Sequence, residues 1–267
     1  IKALYNGPSQ DNVEHLIDRL LHPPSGVIAV DCETISLVDK TAIGIGIAIN
    51  ERDTYYISIY PEPSEILFQV YNLLTRQDIV KVYHNGNFDI EVLRIFAKAN
   101  NLAYPDVWNI HDTNIMANVS ALDPDLHSLT IKHTDIPASD LFTIKDVLDE
   151  ARNRLGRKQV TMLDADQTLV ARKCCNDVRG TFKLLEPLLN QLTTKTYDCY
   201  ETDRRLTGFL KETELKGLKL NHDRLEQRYN QLTSECETYE DWADELGFSI
   251  SSPAQVGMYL ANQRVVL

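Results

Sequence analysis

Basic charge is what this 267-residue sequence has least of: 27 Lys and Arg stand against 39 Asp and Glu, a formal net charge of −12. That balance excludes a protein that coats nucleic acid electrostatically, while leaving room for a local nucleic-acid site. Cysteine is sparse and unpatterned. Cys32, Cys174, Cys175, Cys199 and Cys236 form an odd set without a CxxC, so neither a disulfide framework nor a zinc knuckle follows, and a reducing compartment is expected. No apolar run approaches the roughly 18 residues needed to span a bilayer, and the opening IKALYNGPSQ lacks a signal peptide's apolar stretch. These absences predict a soluble, cytoplasmic protein without a membrane partner, and are equally compatible with an organelle after transit-peptide removal. The sequence also lacks an initiating Met and a polar tail after Arg264-Val265-Val266-Leu267, so a piece of something longer is expected. Internal repeats and low-complexity segments are missing. What is there, 43% hydrophobic residues, suffices for a sizeable core.

Helical spacing over Asp11 to Leu21 is broken by Pro23-Pro24 and Gly26, before the apolar run Val27 to Val30. Thr41 to Asn50 and Thr54 to Ile59 are β-branched, so the chain opens as an antiparallel meander. Beyond it, helical Ser64 to Leu74, strand Ile79 to Tyr83, helical Phe88 to Ala97 and a short strand Val107 to Ile110 alternate, which favours a mixed central sheet with helices packed on it. Asp112 to Val119 and the stretch from Ser128 read as helical. Asp135 to Asp164 is polar and irregular, a mobile loop with a short helix, and Asp166 to Leu189 is a long amphipathic helix. A boundary is expected near Leu192, giving domains 1–192 and 193–267. In the second, Leu225, Tyr229, Leu232, Cys236, Tyr239, Ala243 and Leu246 form a narrow heptad-like seam that should pack on a neighbouring helix, Tyr197 to Lys216, which ends at Gly217. Ser252 and Pro253 read as the N-cap and first residue of a last helix, Ala254 to Ala261.

The run VIAVDCET, Val27 to Thr34, delivers Asp31 and Glu33 two residues apart and therefore on one strand face. Two such carboxylates repel unless a cation sits between them, and hard ions such as Mg²⁺ and Mn²⁺ prefer oxygen ligands. A lone DxE is more often a solvated strand end. YHNGNFD, Tyr83 to Asp89, turns from strand to helix with Asp89 near the helix N-terminus, a position that also suits simple dipole matching. Asp177 lies among core-facing positions of its helix, where an acid is costly unless paired or metal-bound. Asp112, before Thr113, is read as an N-cap.

Taken together, DxE on a first strand, NxxxD at a strand-to-helix turn and a late helical Asp resemble the DEDD 3′→5′ exonuclease superfamily. The resemblance covers residues 20 to 192 and includes Asp112-Thr113, His127-Ser128-Leu129 and the pattern following Asn176-Asp177. It implies a ribonuclease H-like (DnaQ-like) α/β domain. It also implies two Mg²⁺ or Mn²⁺ ions on Asp31, Glu33, Asp89 and Asp177, with Thr34, Leu37, Asn85 and Phe88 holding the terminal nucleotide. Behind it, Leu206 to Leu225 and Ile250 to Val256 resemble the beginning of the thumb of family-A DNA polymerases, a partial helical hairpin. The implied function is a proofreading module acting on single-stranded or frayed DNA 3′ ends, with the polymerase palm and fingers in the missing C-terminal part.

The resemblance departs from the family at one point. Where relatives carry a Tyr four residues before the last Asp, or a His five before it, this sequence has Lys173 and Arg172. Carboxylates nearby keep a Lys protonated, which makes it a poor base. Lys173 therefore enters the catalytic set as its odd member and favours one rival, a weakened or silent domain serving a polymerase as DNA-binding scaffold. A second rival is a ribonuclease D-like RNA exonuclease. His84, His111, His127 and His133 are scattered, so structural or surface roles are expected. Tyr55, Tyr56 and Tyr60 are expected on a half-buried sheet face, and Cys174-Cys175 in the core.

Overall fold

The computed structural model of the chain describes residues 2–3, 17–61 and 63–263. Of the helix expected over Asp11 to Leu21, residues 11–16 lie outside the described residues, and 17–21 are helical (α1). Packing divides the chain into two compact units, residues 1–215 and 216–267. Among the described residues no helix is long and apolar enough to cross a membrane.

The first unit is built on a six-stranded mixed sheet. Its strands are β1 (Lys2–Ala3), β2 (Val27–Thr34), β3 (Ala42–Ala48), β4 (Thr54–Ser58), β5 (Val80–Tyr83) and β6 (Ile110–Asp112), in spatial order β1-β4-β3-β2-β5-β6. The meander β2-β3-β4 is antiparallel, whereas β2, β5 and β6 run parallel. Parallel neighbours need crossovers, and helices α2 (Glu65–Thr75) and α3 (Gly86–Ala99) supply them. Next come α4 (Thr113–Val119), α5 (Leu126–His133), a 3₁₀ turn (Ala138–Asp140), α6 (Ile144–Leu155), α7 (Gln167–Gln191) and α8 (Thr194–Lys216).

Both sheet faces are covered. On one, Ile28, Val30, Ile45 and Tyr55 meet Leu67, Val70, Leu93 and Phe96 of α2 and α3. On the other, Tyr56 packs with Val147 of α6 and Val170 and Cys174 of α7. Tyr55 and Tyr56 are therefore both fully buried, on opposite faces, and only Tyr60 is exposed, which corrects the half-buried face expected for all three. Burying an aromatic on each face of β4 accounts for this: a strand enclosed on both sides has no polar face to alternate with. Cys174 and Cys175 lie in the core as expected.

Three other expectations change. The short strand at Val107 to Ile110 instead runs over Ile110–Asp112, because the Asp106 carboxylate accepts from the Trp108 and Asn109 backbone amides and holds that stretch in a turn. The segment read as a mobile loop with a short helix is anchored by the twelve-residue α6, with a Thr143–Asp146 capping box, Gly156 at φ 65° as its C-cap, and Val147 and Ala151 buried. Helix α3 begins at Gly86, before the expected Phe88, because the Asp112 carboxylate accepts from both the Asn85 and Gly86 amides. The same carboxylate accepts from Asn114 and Ile115, so the residue read as one N-cap serves two helices.

The second unit holds α9 (His222–Glu245) and α10 (Pro253–Asn262), the latter capped by Ser252. Its core is the turn between them, where Phe248 stands edge-on to Trp242 (6.0 Å between ring centres) and stacks on Tyr259 (4.3 Å). Of the heptad-like seam only Ala243 is buried, and Leu225, Tyr229, Leu232, Cys236, Tyr239 and Leu246 are exposed. The ring contacts of the second unit thus lie at the turn between α9 and α10.

Candidate active site

Strand β2 is longer than β5 and pairs with it only over Val27–Ala29. Beyond Ala29 its edge on that side needs another partner, and the first turn of α3 provides one: Asp89 Oδ1 accepts the Cys32 backbone N–H at 2.8 Å. That bond fixes Asp89, only 3% exposed, against the strand that carries Asp31 and Glu33. A register shift between Glu33 and Thr34 bends the strand end just beyond the two acids.

Helix α7 crosses the same strand end. Lys173 Nζ donates to Glu33 Oε1 at 2.8 Å and to Asp177 Oδ2 at 2.7 Å, while Cys174 Sγ lies 3.4 Å from Asp31 Oδ2. Lys173 and Asp177 are four residues apart and so share a helix face. Burial works against a charge on Lys173, but Asp177, Glu33 and Asp31 outweigh it and hold the ammonium well above the ordinary lysine range. The acids respond oppositely. Burial, with Glu33 and Asp177 adding repulsion against the relief from Lys173, pushes Asp31 up to about 7. Burial and then Asp31 push Asp89 well above the carboxylate range, and burial pushes Asp177 up despite Lys173.

A pocket of about 320 Å³ opens beside the acids. Asp31, Glu33, Asp89 and Lys173 line it together with Thr34, Leu37, Asn85 and Phe88, so eight of the nine residues picked from the sequence meet at one cavity. Asp177 is joined to the group through Lys173. Leu37 is 72% exposed at the rim, an apolar side chain with little of its own to pack on. Lys40 Nζ lies 5.7 Å from the centre of the Phe88 ring and pairs with Glu91 at 2.8 Å. Asn85 adopts φ 62°, the left-handed turn that swings the chain from β5 into α3. The facing wall was missed from sequence: Ile144 and Leu148 of α6, with Val160 and Met162 after it. The Thr143–Asp146 spacing ahead of Val147 and Ala151 was the signal that could have found it. His84 also lines the pocket, its Nδ1 2.9 Å from Thr113 Oγ1. Burial lowers its pKa and favours the neutral ring.

The donors discriminate between cation arrangements. Among the described residues, the group of three ligand-type atoms lying within 4.8 Å of one another is Asp31, Glu33 and Cys174, two oxygens and a sulfur. Between Glu33 and Asp177 the position of a bridging cation is filled by the Lys173 ammonium. One divalent ion on the Asp31 side fits these residues; a second, bridging Glu33 and Asp177, does not fit while Lys173 stands there.

Comparison with known proteins gives the family and the fold. The sequence matches the 3′-5′ exonuclease domain family of family-A DNA polymerases over residues 8–193. It is 25% identical over 222 residues to DNA polymerase I of Chloroflexus aurantiacus, covering 79% of this chain but only 22% of that protein's length. Among solved structures, Brucella melitensis NrnC superposes with a TM-score of 0.53 at 18% identity, over 72% of this chain and 86% of that one. Trypanosoma brucei RNase D, solved with RNA U12, gives 0.54 at 13% identity, over 85% and 78%. These two share the ribonuclease H-like α/β fold.

Proposed function

We propose that this chain, which belongs to the 3′-5′ exonuclease family, removes nucleotides from single-stranded or frayed DNA 3′ ends as the proofreading module of a longer family-A DNA polymerase. The observation that carries the reading is the meeting of Asp31, Glu33, Asp89 and Lys173 with Leu37 and Phe88 at one pocket. Asp31 and Glu33 would hold a divalent ion of the Mg²⁺ or Mn²⁺ kind, which when bound activates water and offsets charge on the scissile phosphate. The rest falls to the chain's own residues. Leu37 and Phe88 offer apolar faces to the last base, and Asn85 a side-chain amide to its sugar or phosphate. Lys173 remains cationic and takes no proton from water, but its ammonium offers hydrogen bonds toward developing negative charge. The likeness of residues 206–225 and 250–256 to a polymerase thumb supports the polymerase context, with the sequence division at 1–192 and 193–267 marking the exonuclease and thumb-like parts.

The scaffold reading keeps one specific support, Lys173 in the place of a Tyr. Both are tested by incubating the chain with 3′-labelled single-stranded DNA and RNA, with Mg²⁺ or Mn²⁺ and with chelator. Stepwise loss of 3′ nucleotides from DNA that disappears in an Asp31→Ala, Glu33→Ala double variant supports the proposal. Faster loss from RNA selects the ribonuclease D-like alternative, and no loss from either selects the scaffold.

A further inference from the structure

Arg94 of α3 is only 9% exposed, and a guanidinium that deep needs its donors bonded. Nε is instead enclosed without a hydrogen-bond partner, and Nη2 lies 4.0 Å from Glu212 Oε1 of α8, outside hydrogen-bond reach. The Glu212 side chain is 67% exposed, so solvent screens most of that attraction. The guanidinium carbon stands 5.4 Å from the centre of the Tyr104 ring. These groups belong to the wall of a cavity of about 380 Å³, which residues of α2, α3, α8 and the loop 104–108 line and which shares no residue with the pocket beside Asp31. Two further exposed aromatic side chains, Trp108 and Phe209, line it too. Hydrogen bonds fix the loop: Tyr71 Oη donates to the Ala103 carbonyl at 3.1 Å, the Asp106 amide to the Leu74 carbonyl at 2.7 Å, and Arg204 to the Trp108 carbonyl at 2.7 Å. The cavity is thus preformed. Of the two carboxylates that line it, Asp106 is engaged by Lys81 and by the Trp108 and Asn109 amides, which leaves Glu212 facing Arg94.

We propose that this cavity binds a nucleoside 5′-monophosphate, with the phosphate on Arg94 and the base against Trp108 and Phe209. A planar guanidinium gives a phosphate two parallel N–H bonds, and every base has a face on which an aromatic ring stacks. The volume is at the small end of ligand sites and suits one nucleotide unit. A net charge of −12 repels a polyanionic strand more than a single nucleotide, which favours the free monophosphate over a strand. On binding, the phosphate takes the place that Glu212 holds only loosely, and the exposed Glu212 side chain turns out to solvent. The inference stands on the cavity alone and goes beyond the exonuclease reading, since it needs none of the acids around Asp31.

Calorimetric titration of the full chain with deoxyadenosine 5′-monophosphate, in chelator so that no metal assists binding beside Asp31, should show one equivalent bound. Deoxyadenosine and inorganic phosphate should each bind about tenfold more weakly or worse, since each keeps only part of the contact. Arg94→Gln should weaken the monophosphate by about tenfold or more and Trp108→Ala by about fivefold or more. Glu212→Gln, at an exposed position, should tighten it by about threefold, because the competing carboxylate is gone. Phe88→Ala, in the other pocket, should bind as the parent does. No binding by the parent, or an affinity unchanged in both Glu212→Gln and folded Arg94→Gln, overturns the proposal. Binding that is lost in Phe88→Ala and kept in Arg94→Gln also overturns it, by putting the nucleotide beside Asp31. Inorganic phosphate as tight as the monophosphate would make this a plain anion site, and a short oligodeoxyadenylate that binds through Arg94 where the monophosphate does not would make it a strand contact; either result overturns the mononucleotide assignment.

Discussion

Replacing Lys173 with Met keeps the stem and removes the ammonium, and its cost can be worked from the two bonds it breaks. Lys173 is 8% exposed and its partners Glu33 and Asp177 are 5% and 18% exposed, so solvent screens little of the interaction. Removing one partner from a buried ion pair typically costs about 3–5 kcal/mol, most of it the penalty of the charge left behind. Here two carboxylates are left, beside an Asp31 already pushed up to about 7. The metal-free variant should therefore lose about 3–5 kcal/mol at pH 8, a fall in Tm on the order of 10 °C for a unit of this size. The sign of the pH dependence follows from the same acids. Asp31 loses its charge as pH falls through 7, which leaves fewer like charges around the missing ammonium, so the deficit should shrink below pH 7. Divalent cation should restore more stability to the variant than to the parent, since it supplies the charge that was removed. Urea unfolding at pH 8 and pH 5, with chelator and with Mn²⁺, measures all three quantities. A Met variant as stable as the parent at pH 8 would refute the reasoning, because it would mean that Lys173 is not holding two ionised carboxylates together.

The remaining predictions follow from neighbouring contacts. Because the folded-state pKa of Asp31 is raised from the usual 3.8 to about 7, its contribution favours folding at low pH and is lost as pH rises from about 4 through 7. Asp31→Asn should flatten that decline in the metal-free chain, with a ceiling of about 4 kcal/mol at roughly 1.36 kcal/mol per pH unit, and an unchanged slope in urea titrations would assign it elsewhere. Asp112→Ala removes acceptors from four backbone amides at two helix starts and should cost about 2 kcal/mol or more, read as a lower urea midpoint with the same slope. Phe88→Ala should reduce the preference for unpaired over blunt 3′ ends, consistent with base–aromatic stacking of about 1–3 kcal/mol, and equal rates on both substrates in the parent would count against the pocket. Lys173→Tyr should raise the rate of single-strand cleavage by about tenfold or more, and a Tyr variant as inert as its parent would favour the scaffold.

Much of the architecture is legible because its signals are local. The β-branched meander, the apolar run ending in Asp31 and the amphipathic face of α7 all follow from side-chain period, and the mixed character of the sheet follows from alternating strands and helices. The misreadings have a common cause in contacts distant along the chain. Asp106 turns Val107 to Asn109 away from strand geometry through its own carboxylate, held in turn by Lys81 at 2.8 Å. Tyr56 is buried because α7, more than a hundred residues later, covers its face of the sheet. The polar look of residues 135–164 left the short helix expected there without bounds, because only Val147 and Ala151 of α6 are buried, too few to set an apolar rhythm.

The site divides along the same line. Asp31, Glu33, Asp89 and Asp177 carry a pattern that sequence displays, and the four-residue step from Lys173 to Asp177 already puts both on one helix face. What sequence could not display is the partner of each acid, since that depends on how far α7 sits from β2. The answer lies in the space left by one small residue. Gly46, opposite Asp31, admits Cys174, and with Cys174 seated there the preceding residue, Lys173, reaches Glu33. A larger residue at 46 would push the helix out and separate ammonium from carboxylate, so the identity of Lys173 matters only because of a glycine on a different strand. Gly46→Ala is accordingly the substitution that couples the two: it should loosen the Lys173–Glu33 bond and, at pH 8 in metal-free protein, make the further change Lys173→Met less costly than in the parent. A double-mutant cycle by urea unfolding measures that coupling, and strictly additive losses would show that the helix seat and the ammonium act independently.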